Sequence, residues 1–341
     1  MRAELAGGDP LSPPAARDAA FDPVLNAWVL GKYADVLAAF REPRLWPAGP
    51  RNEKNSKIPD HAAQQRIRAD VQTAFSPSQL AEWRARLAPL ADGLSRQLPR
   101  DRPVDVVQEF AEPWCLSAAE IVTGSEPAER AHLLAQARIV SASAAEPLED
   151  ELQSEASMAD RELERILATA SIPLAGPTFV ALSRTLVCLL ANGWLALLRQ
   201  PEGLLDLRSH PDLMPRAIEE LLRFACIPQM LFRRASEDVE LNGLRIAAGE
   251  RLILMLATAN RDPVQFAHPE QLNWYRRGAA QLSLGLGPHS CVGGPLIRMA
   301  MAVITSSFVD RFAQSALYGP VEWQGGSGFR FPASVWVVDQ Q

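Results

Sequence analysis

Apolar residues recur along most of this chain at the three-to-four residue spacing of an amphipathic helix. This pattern predicts helices over residues 33–40, 64–75, 80–98, 106–121 and 296–312. A further stretch, 133–170, is rich in alanine and acidic residues, and we interpret it as helix as well. The chain is therefore predicted to be mainly α-helical.

Residues 179–198 are apolar on nearly every face, which is typical of a helix buried at the centre of a protein. Pro173, Gly176 and Pro177 are expected to kink or break its beginning. The longest apolar run, 186–198, is broken by Asn192 and Gly193 and is too short to cross a bilayer. We expect a soluble, cytoplasmic protein that does not bind membranes.

Short strands are predicted in a small β region. Residues 27–30 form one apolar strand, and residues 239–241 and 251–256 flank the turns Asn242-Gly243 and Ala248-Gly249. Residues 44–60 are rich in proline and charge and are predicted to be a mobile loop. Residues 1–20 resemble a loose leader, and 21–341 are expected to form a single domain.

Composition narrows the class of protein. Of 341 residues, 48% are hydrophobic and 22% are charged, which is typical of a globular chain with a substantial core. The net charge of −6 gives no reason to expect binding to nucleic acid. The four cysteines are widely spaced without a Cys-x-x-Cys pair, which argues against a zinc site or a disulfide framework.

Cys291 stands in an unusual setting. It follows a turn containing Gly285 and Gly287, which tolerate positive φ, and it precedes the helix predicted over 296–312. Near a helix N-terminus, free amide N–H groups and the positive end of the macrodipole favour a thiolate. A lone cysteine is more often a buried structural residue, but a thiolate held in this way is a natural axial ligand for haem iron.

The segment 284–293, Leu-Gly-Leu-Gly-Pro-His-Ser-Cys-Val-Gly, resembles the haem-binding signature of the cytochrome P450 family. The continuation to Arg298 is similar to that of soluble bacterial members. Leu284 stands where the family usually has phenylalanine, a difference that affects sulfur shielding and redox potential rather than ligation. The resemblance implies a cytochrome P450-like fold and haem b with Cys291 as the axial ligand. It covers roughly residues 20–335, with a shortened N-terminal region and shortened substrate-covering helices.

The resemblance also implies which residues contact haem. By position, Gln64, Arg68, Arg233 and His289 match residues that meet the propionates, and Gly285 and Gly293 shape the loop around the cysteine. Cations at these places make physical sense, because buried propionates need partners. The plainer alternatives are a solvated basic helix face for Arg68 and a turn-filling residue for His289.

Glu220 and Arg223 have the spacing of a Glu-x-x-Arg pair on one helix face. Such pairs are common on solvated helices, but this one lies where the family has a buried network. The resemblance implies that a later arginine completes this network. Spacing to the cysteine loop favours Arg276, with Arg277 as a close rival.

The buried helix departs from the family pattern. Ala181-Leu182-Ser183-Arg184-Thr185 aligns with the family's Ala-Gly-x-(Asp or Glu)-Thr, so the alcohol is kept and the acid is replaced by arginine. Arg184 and Thr185 are the candidate catalytic residues. A guanidinium stays protonated and cannot relay protons as the acid does.

The resemblance implies a monooxygenase that receives electrons from a separate ferredoxin or flavodoxin, with Arg66, Arg68 and Arg298 contributing to a docking patch. A peroxide-using branch of the family also has arginine at position 184, although proline follows it there. A non-oxidative haem enzyme or a non-catalytic haem protein remains a third hypothesis.

We expect the substrate to be a small metabolite whose carboxylate docks on Arg184. An unpaired guanidinium within an apolar helix is costly, and no acid lies within one turn of it in sequence. The alternatives are an acid from 133–170 as its partner, or a kink that turns Arg184 into water.

Overall fold

The computed structural model describes residue 11 and residues 13–49 and 61–339. The described chain is mainly helical, as predicted. Its longer helices are α1 (Tyr33–Arg41), α2 (His61–Ala74), α3 (Pro77–Gln97), α4 (Glu112–Thr123), α5 (Arg130–Ala145), α6 (Asp150–Ile166), the central helix α7 (Ala175–Leu198), α8 (Pro201–Ser209), α9 (Met214–Phe224), and, after the short α10 (Leu256–Ala259), α11 (Gly294–Phe312). Short 3₁₀ turns cover Pro127–Glu129, Pro211–Leu213 and Gly287–His289, and a π turn, Val107–Ala111, leads into α4.

The strands form a small β region. They are β1 (Ala20–Asp22), β2 (Ala27–Leu30), β3 (Leu45–Pro47), β4 (Val104–Asp105), β5 (Met230–Ala235), β6 (Val239–Leu241), β7 (Leu244–Ile246), β8 (Arg251–Met255), β9 (Ser315–Leu317), β10 (Trp323–Gly325), β11 (Arg330–Pro332) and β12 (Trp336–Asp339). The largest sheet has the order β1-β2-β8-β5-β3, in which β2 and β8 are parallel and the other neighbours are antiparallel. β4-β12-β9 form a second sheet, and β6-β7 and β10-β11 are hairpins.

The central helix is buried in the main hydrophobic core. Trp194 stacks between Phe110 of the π turn before α4 and Phe308 of α11, with ring centroids 5.5 and 4.3 Å away. Its indole N–H donates to Thr305 Oγ1 at 3.2 Å, so the polar end of this buried ring has a partner. The stack fixes the central helix against α11, the helix that follows Cys291.

The central helix is longer than its apolar run suggests. It is continuous from Ala175 to Leu198 and, by length and composition, could cross a membrane. Within the protein, 83% of its most apolar window is buried, which is what the core helix of a globular fold requires. It begins after Leu174, whose φ is +55°, and contains a π turn over Ala181–Thr185. The predicted break therefore lies just before the helix begins.

One prediction about loops needs correction. Within 44–60, Leu45–Pro47 forms an edge strand paired with β5. Leu45 is buried on one face of the sheet, and Pro47 is exposed. Residues 50–60 of that loop lie outside the described residues. Of the predicted leader, Leu11 is buried, and its carbonyl accepts a hydrogen bond from Arg261 at 2.9 Å. Residues 13–19 form no helix or strand and are exposed or partly exposed. Residues 1–10 and 12 are also outside the described part.

The stretch 133–170 is two helices rather than one. Residues 146–149 separate α5 from α6, and the two helices pack side by side. Ser76 and Pro77, which end α2, also begin α3. The Ser76 hydroxyl accepts from the Gln79 N–H at 3.5 Å, and proline stands at the first helical position.

Candidate functional site

The cysteine loop, residues 284–293, is held tightly at both ends. Cys291 N–H donates to the Leu284 carbonyl at 2.7 Å, which closes the loop. Gly287 has φ +75°, and a Cβ there would lie 2.5 Å from the Phe40 carbonyl oxygen of α1. Only glycine fits this approach. Cys291 stands two residues before Gly293, the residue that precedes the first turn of α11.

Cys291 is an exposed residue, although neighbouring protein atoms partly shield its sulfur from water. Burial raises the pKa of this thiol, and the backbone amides of Gly293 and Gly294 and the guanidinium groups of Arg298 and Arg68 lower it by less. The loop therefore supports a thiolate without being sufficient to form one. A bound metal ion would deprotonate the thiol outright.

Arg68 and His289 lie beside this loop. The Arg68 guanidinium donates to the Ser290 carbonyl at 2.9 Å and to the Ser290 hydroxyl at 2.6 Å. Arg68, His289 and Val292 line one cavity of about 430 Å³ together with Leu174, which precedes the central helix. The cavity thus brings two predicted cations next to the residue that follows Cys291.

Arg233 lies close to the same loop on β5. Its guanidinium sits over the Phe40 ring at 5.4 Å, and a Cβ on Gly285 of the loop would be 3.8 Å from that ring. The ring of Trp46 on the neighbouring β3 packs against the His289 ring, with 5.2 Å between the ring centroids. Arg233 is 5% exposed, donates only to its neighbour's carbonyl (Phe232), and has a buried Nε without a partner among the described residues.

The remaining predicted haem contacts differ in what the structure shows. Leu284 is partly buried against the main core and lies next to Gly294. Gly293 has an ordinary negative φ, and a Cβ there would be 3.9 Å from the Cys291 sulfur. Gln64 lies on α2, but its side chain is outside the described part of the chain.

Glu220, Arg223 and Arg276 lie together as predicted. Arg223 Nε and Nη2 donate to the two Glu220 carboxylate oxygens at 2.8 and 2.7 Å, and both side chains are buried. Arg276 Nε reaches Glu220 Oε1 at 3.4 Å, so Arg276, not its rival Arg277, occupies this place. The Asn273 N–H also donates to Glu220 Oε1 at 2.8 Å.

Sequence reasoning missed Asn260, which joins this network to the cysteine loop. Its carbonyl accepts from Arg223 Nη1 at 2.9 Å. Its side chain donates to the Ser283 hydroxyl and accepts from the Leu282 N–H, both at 2.8 Å. Asn260 is fully buried, but nothing in its local pattern distinguishes it from a turn residue.

Arg184 has a protein partner, which makes the predicted role as a substrate anchor unnecessary. Its Nη1 lies 3.4 Å from Glu112 Oε1 of α4, a residue outside both the central helix and the 133–170 stretch. The two side chains are 19% and 43% exposed. Sequence inspection had no signal for this pair, because the partners are 72 residues apart. Thr185 is partly exposed at the end of the π turn.

Of the three arginines in the predicted docking patch, Arg298 has an acidic partner within the chain, whereas Arg66 and Arg68 donate to neutral oxygens. Arg298 is ion-paired with Glu219 of α9. Arg68 is engaged by Ser290, and Arg66 Nε donates to the Ala62 carbonyl at 3.3 Å. At these three positions, part of each guanidinium's hydrogen-bonding capacity is used within the chain.

Comparison with known proteins gives one consistent answer. The Cytochrome P450 family model matches residues 204–319. The vitamin D(3) 25-hydroxylase of Pseudonocardia autotrophica is 29% identical over 83% of this chain and 80% of its own length. The biotin biosynthesis cytochrome P450 of Bacillus subtilis is 26% identical over 90% of this chain and 88% of its own.

Solved structures agree in fold. The LnmA cytochrome P450 hydroxylase of Streptomyces atroolivaceus aligns with a TM-score of 0.77 and 28% identity, covering 92% of this chain and 90% of that one. Members of that family hold haem through a cysteine thiolate and act as monooxygenases. The family model, the relatives and the solved structure all support the resemblance of this chain to the cytochrome P450 family.

Proposed function

We propose that Cys291 is the axial ligand of haem b in this chain and that the protein is a monooxygenase using dioxygen and a separate electron donor. The observation that carries this proposal is the grouping of an exposed cysteine with Arg68, His289 and the buried Arg233 around one loop. The substrate is a small molecule.

The residues present fit the group that the family binds. Arg233 is a buried cation with an unpartnered Nε and no anionic partner among the described residues, which is costly unless an anion completes it. A haem propionate would supply that anion, and Arg68 and His289 line the adjoining cavity. These three residues would hold the propionates while Cys291 provides the thiolate.

Each part of the chain has a distinct role in this proposal. When bound, haem supplies the activation of dioxygen, which a thiolate ligand promotes by donating electron density. The cysteine loop holds the sulfur, and the Glu220 network fixes the segment that leads into that loop. Thr185, partly exposed in the π turn of the central helix, holds or passes a proton through its hydroxyl.

A peroxide-driven reaction has less support than a dioxygen-driven one. The resemblance to peroxide-using relatives rested on Arg184, and that side chain is engaged by Glu112. Stoichiometry separates the two: a monooxygenase consumes one dioxygen and two electrons for each product molecule. Product formed from hydrogen peroxide at a rate that added electron donor does not raise would contradict this proposal.

Replacing Cys291 with serine tests the ligand assignment. Reduced wild-type protein under carbon monoxide should show the strongly red-shifted Soret band of thiolate ligation, because the sulfur donates electron density to the iron. Cys291→Ser should lose that band completely. Cys226→Ser, which changes a buried thiol that donates to a carbonyl, is the matched control and should keep it. Survival of the band in Cys291→Ser would rule out this ligand.

A further inference from the structure

The central helix lacks a proton donor of the ordinary kind. Between Ala175 and Leu198 it carries no carboxylate and no imidazole, and its ionisable side chains are Arg184 and Cys188. Arginine keeps its proton, and burial raises the pKa of Cys188 to about 12. On the proposed function, reducing one oxygen atom to water consumes two protons, so these must come from solvent or from a group on another element.

Glu112 brings a carboxylate to this helix from α4. It lies 3.4 Å from Arg184, and it is 43% exposed, whereas Arg184 is 19% exposed. Glu112 is therefore the more exposed member of the pair, and Arg184 is partly buried. A carboxyl group in this position can exchange protons with solvent, while the guanidinium beside it only orients it.

A cavity of about 360 Å³ adjoins the pair. It lies between α4, α5 and the π turn, and Glu112, Ser117, Arg138, Ser183 and Arg184 contribute to its lining. Such a cavity has room for water molecules, and these side chains offer each of them several hydrogen-bonding partners. Water here would connect the Glu112 carboxylate with the central helix.

Ser183 is the next polar group along this path. It is 3% exposed, and its hydroxyl has no hydrogen-bond partner among the described residues. It stands two residues before Thr185 in the same π turn, a distortion that is frequent at functional sites. A hydroxyl both accepts and donates, so it can receive a proton from one side and release one to the other.

We propose that Glu112 is the proton-exchanging group of this enzyme and that Ser183 passes its protons toward Thr185. The Glu112 carboxyl releases a proton to water in the cavity and regains one from bulk solvent. Two such cycles supply the two protons consumed for each oxygen atom reduced to water, and the separate donor supplies the two electrons. Arg184 stays protonated and holds the carboxylate in place.

Glu112→Gln tests the proposal, because glutamine keeps the size and an acceptor oxygen but cannot titrate. In the haem-loaded protein, the fraction of electrons recovered in product should fall by at least about 10-fold, and the solvent deuterium isotope effect should rise. Glu120→Gln is the matched control. Glu120 lies two turns later on α4 and pairs with Arg130, and its loss should leave coupling unchanged.

The double variant Glu112→Gln/Arg184→Gln separates proton exchange from charge neutralisation. The single variant leaves the Arg184 cation unpaired, so its unfolding midpoint should be lower than that of the wild type, and the double variant should recover it. Coupling should stay low in both. Wild-type coupling in Glu112→Gln, or restored coupling in the double variant, would overturn the proposal. Failure of the proposed function would be seen differently, as absence of dioxygen-dependent turnover in the unmodified protein.

Discussion

Arg223 and Arg233 are buried to nearly the same extent, 2% and 5% exposed, in very different surroundings. Arg223 makes two hydrogen bonds to the Glu220 carboxylate and three to the carbonyls of Asn260, Pro269 and Gln271. Within the described part of the chain, Arg233 makes one hydrogen bond, to the carbonyl of its own neighbour. Among the described residues, Arg223 has a carboxylate partner and Arg233 does not.

The difference distinguishes an arginine that stabilises the fold from one that is proposed to bind a ligand. Burying a guanidinium costs free energy that a paired carboxylate offsets. For Arg233 no carboxylate among the described residues offsets that cost, and burial lowers its pKa to about 10. Such an unfavourable burial is expected where a bound anionic ligand offsets it. The Glu220 network therefore stabilises the fold, whereas the proposed role of Arg233 is to bind haem.

The largest effect is expected for Glu220→Ala. This change leaves the buried Arg223 guanidinium without its carboxylate and should lower the free energy of unfolding by about 3–5 kcal/mol. Denaturant unfolding of the variant and the wild type measures the difference. Much of the protein should also be recovered without haem, because the same network supports the cysteine loop through Asn260.

Glu219→Ala is the matched control for this change. Glu219 is the preceding residue on α9, but it pairs with Arg298 at the surface, where both side chains are more than 40% exposed. Surface pairs contribute only about 0–1 kcal/mol. Equal destabilisation in the two variants would show that the Glu220 network is no more than a surface ion pair.

Arg233→Leu should have a smaller effect that falls on binding rather than folding. Removing a charge-assisted contact to a propionate costs about 1.5–3 kcal/mol, which corresponds to roughly 10-fold or greater loss of haem affinity. The haem-free protein should be no less stable than the wild type, because the change removes a buried cation that pairs with no carboxylate among the described residues. Transfer of haem to a high-affinity acceptor protein measures the first quantity, and denaturant unfolding measures the second.

Arg234→Leu changes the next residue of β5, whose side chain points to the opposite face of the sheet. Haem transfer from this variant should match that of the wild type. If Arg233→Leu destabilises the haem-free protein and leaves haem transfer unchanged, the distinction between the two buried arginines is wrong.

The smallest effect concerns Asp206 of α8, which anchors the segment that reaches Glu220. Burial raises the pKa of Asp206, but hydrogen bonds from Trp274, Tyr275 and His210 lower it by more, so the pKa lies below its usual value. The folded state thus binds this proton less readily than the unfolded chain. The stabilisation from Asp206 is present above the pKa of aspartate in the unfolded chain, near 3.9, and is lost as pH falls through the lower pKa of the folded state.

Asp206→Asn should remove this part of the acid dependence, an effect of less than about 1 kcal/mol at a partly exposed site. Unfolding midpoints between pH 5 and about pH 3 give the measurement. An unchanged slope in the variant would mean that Asp206 does not contribute to acid stability.

Local patterns in the sequence were sufficient for most helices and for the cysteine loop. Helical periodicity is a property of neighbouring turns, so α1, α3 and α11 follow from residues that are close in the chain. The cysteine loop is a contiguous motif, and Glu220 and Arg223 share one turn of α9. In each case the interacting residues are near one another in sequence, which is why their arrangement was predictable.

The partners of the charged residues were decided only by the tertiary structure. Arg184 meets Glu112 because α4 packs against the π turn of the central helix, and no periodicity records that contact. Asn260 bridges Arg223 and Ser283 across three separate segments. β5 places Arg233 over Phe40, and no carboxylate from the described part of the chain pairs with it. Burial and pairing depend on which distant segments meet, and that information arises only when the whole chain packs.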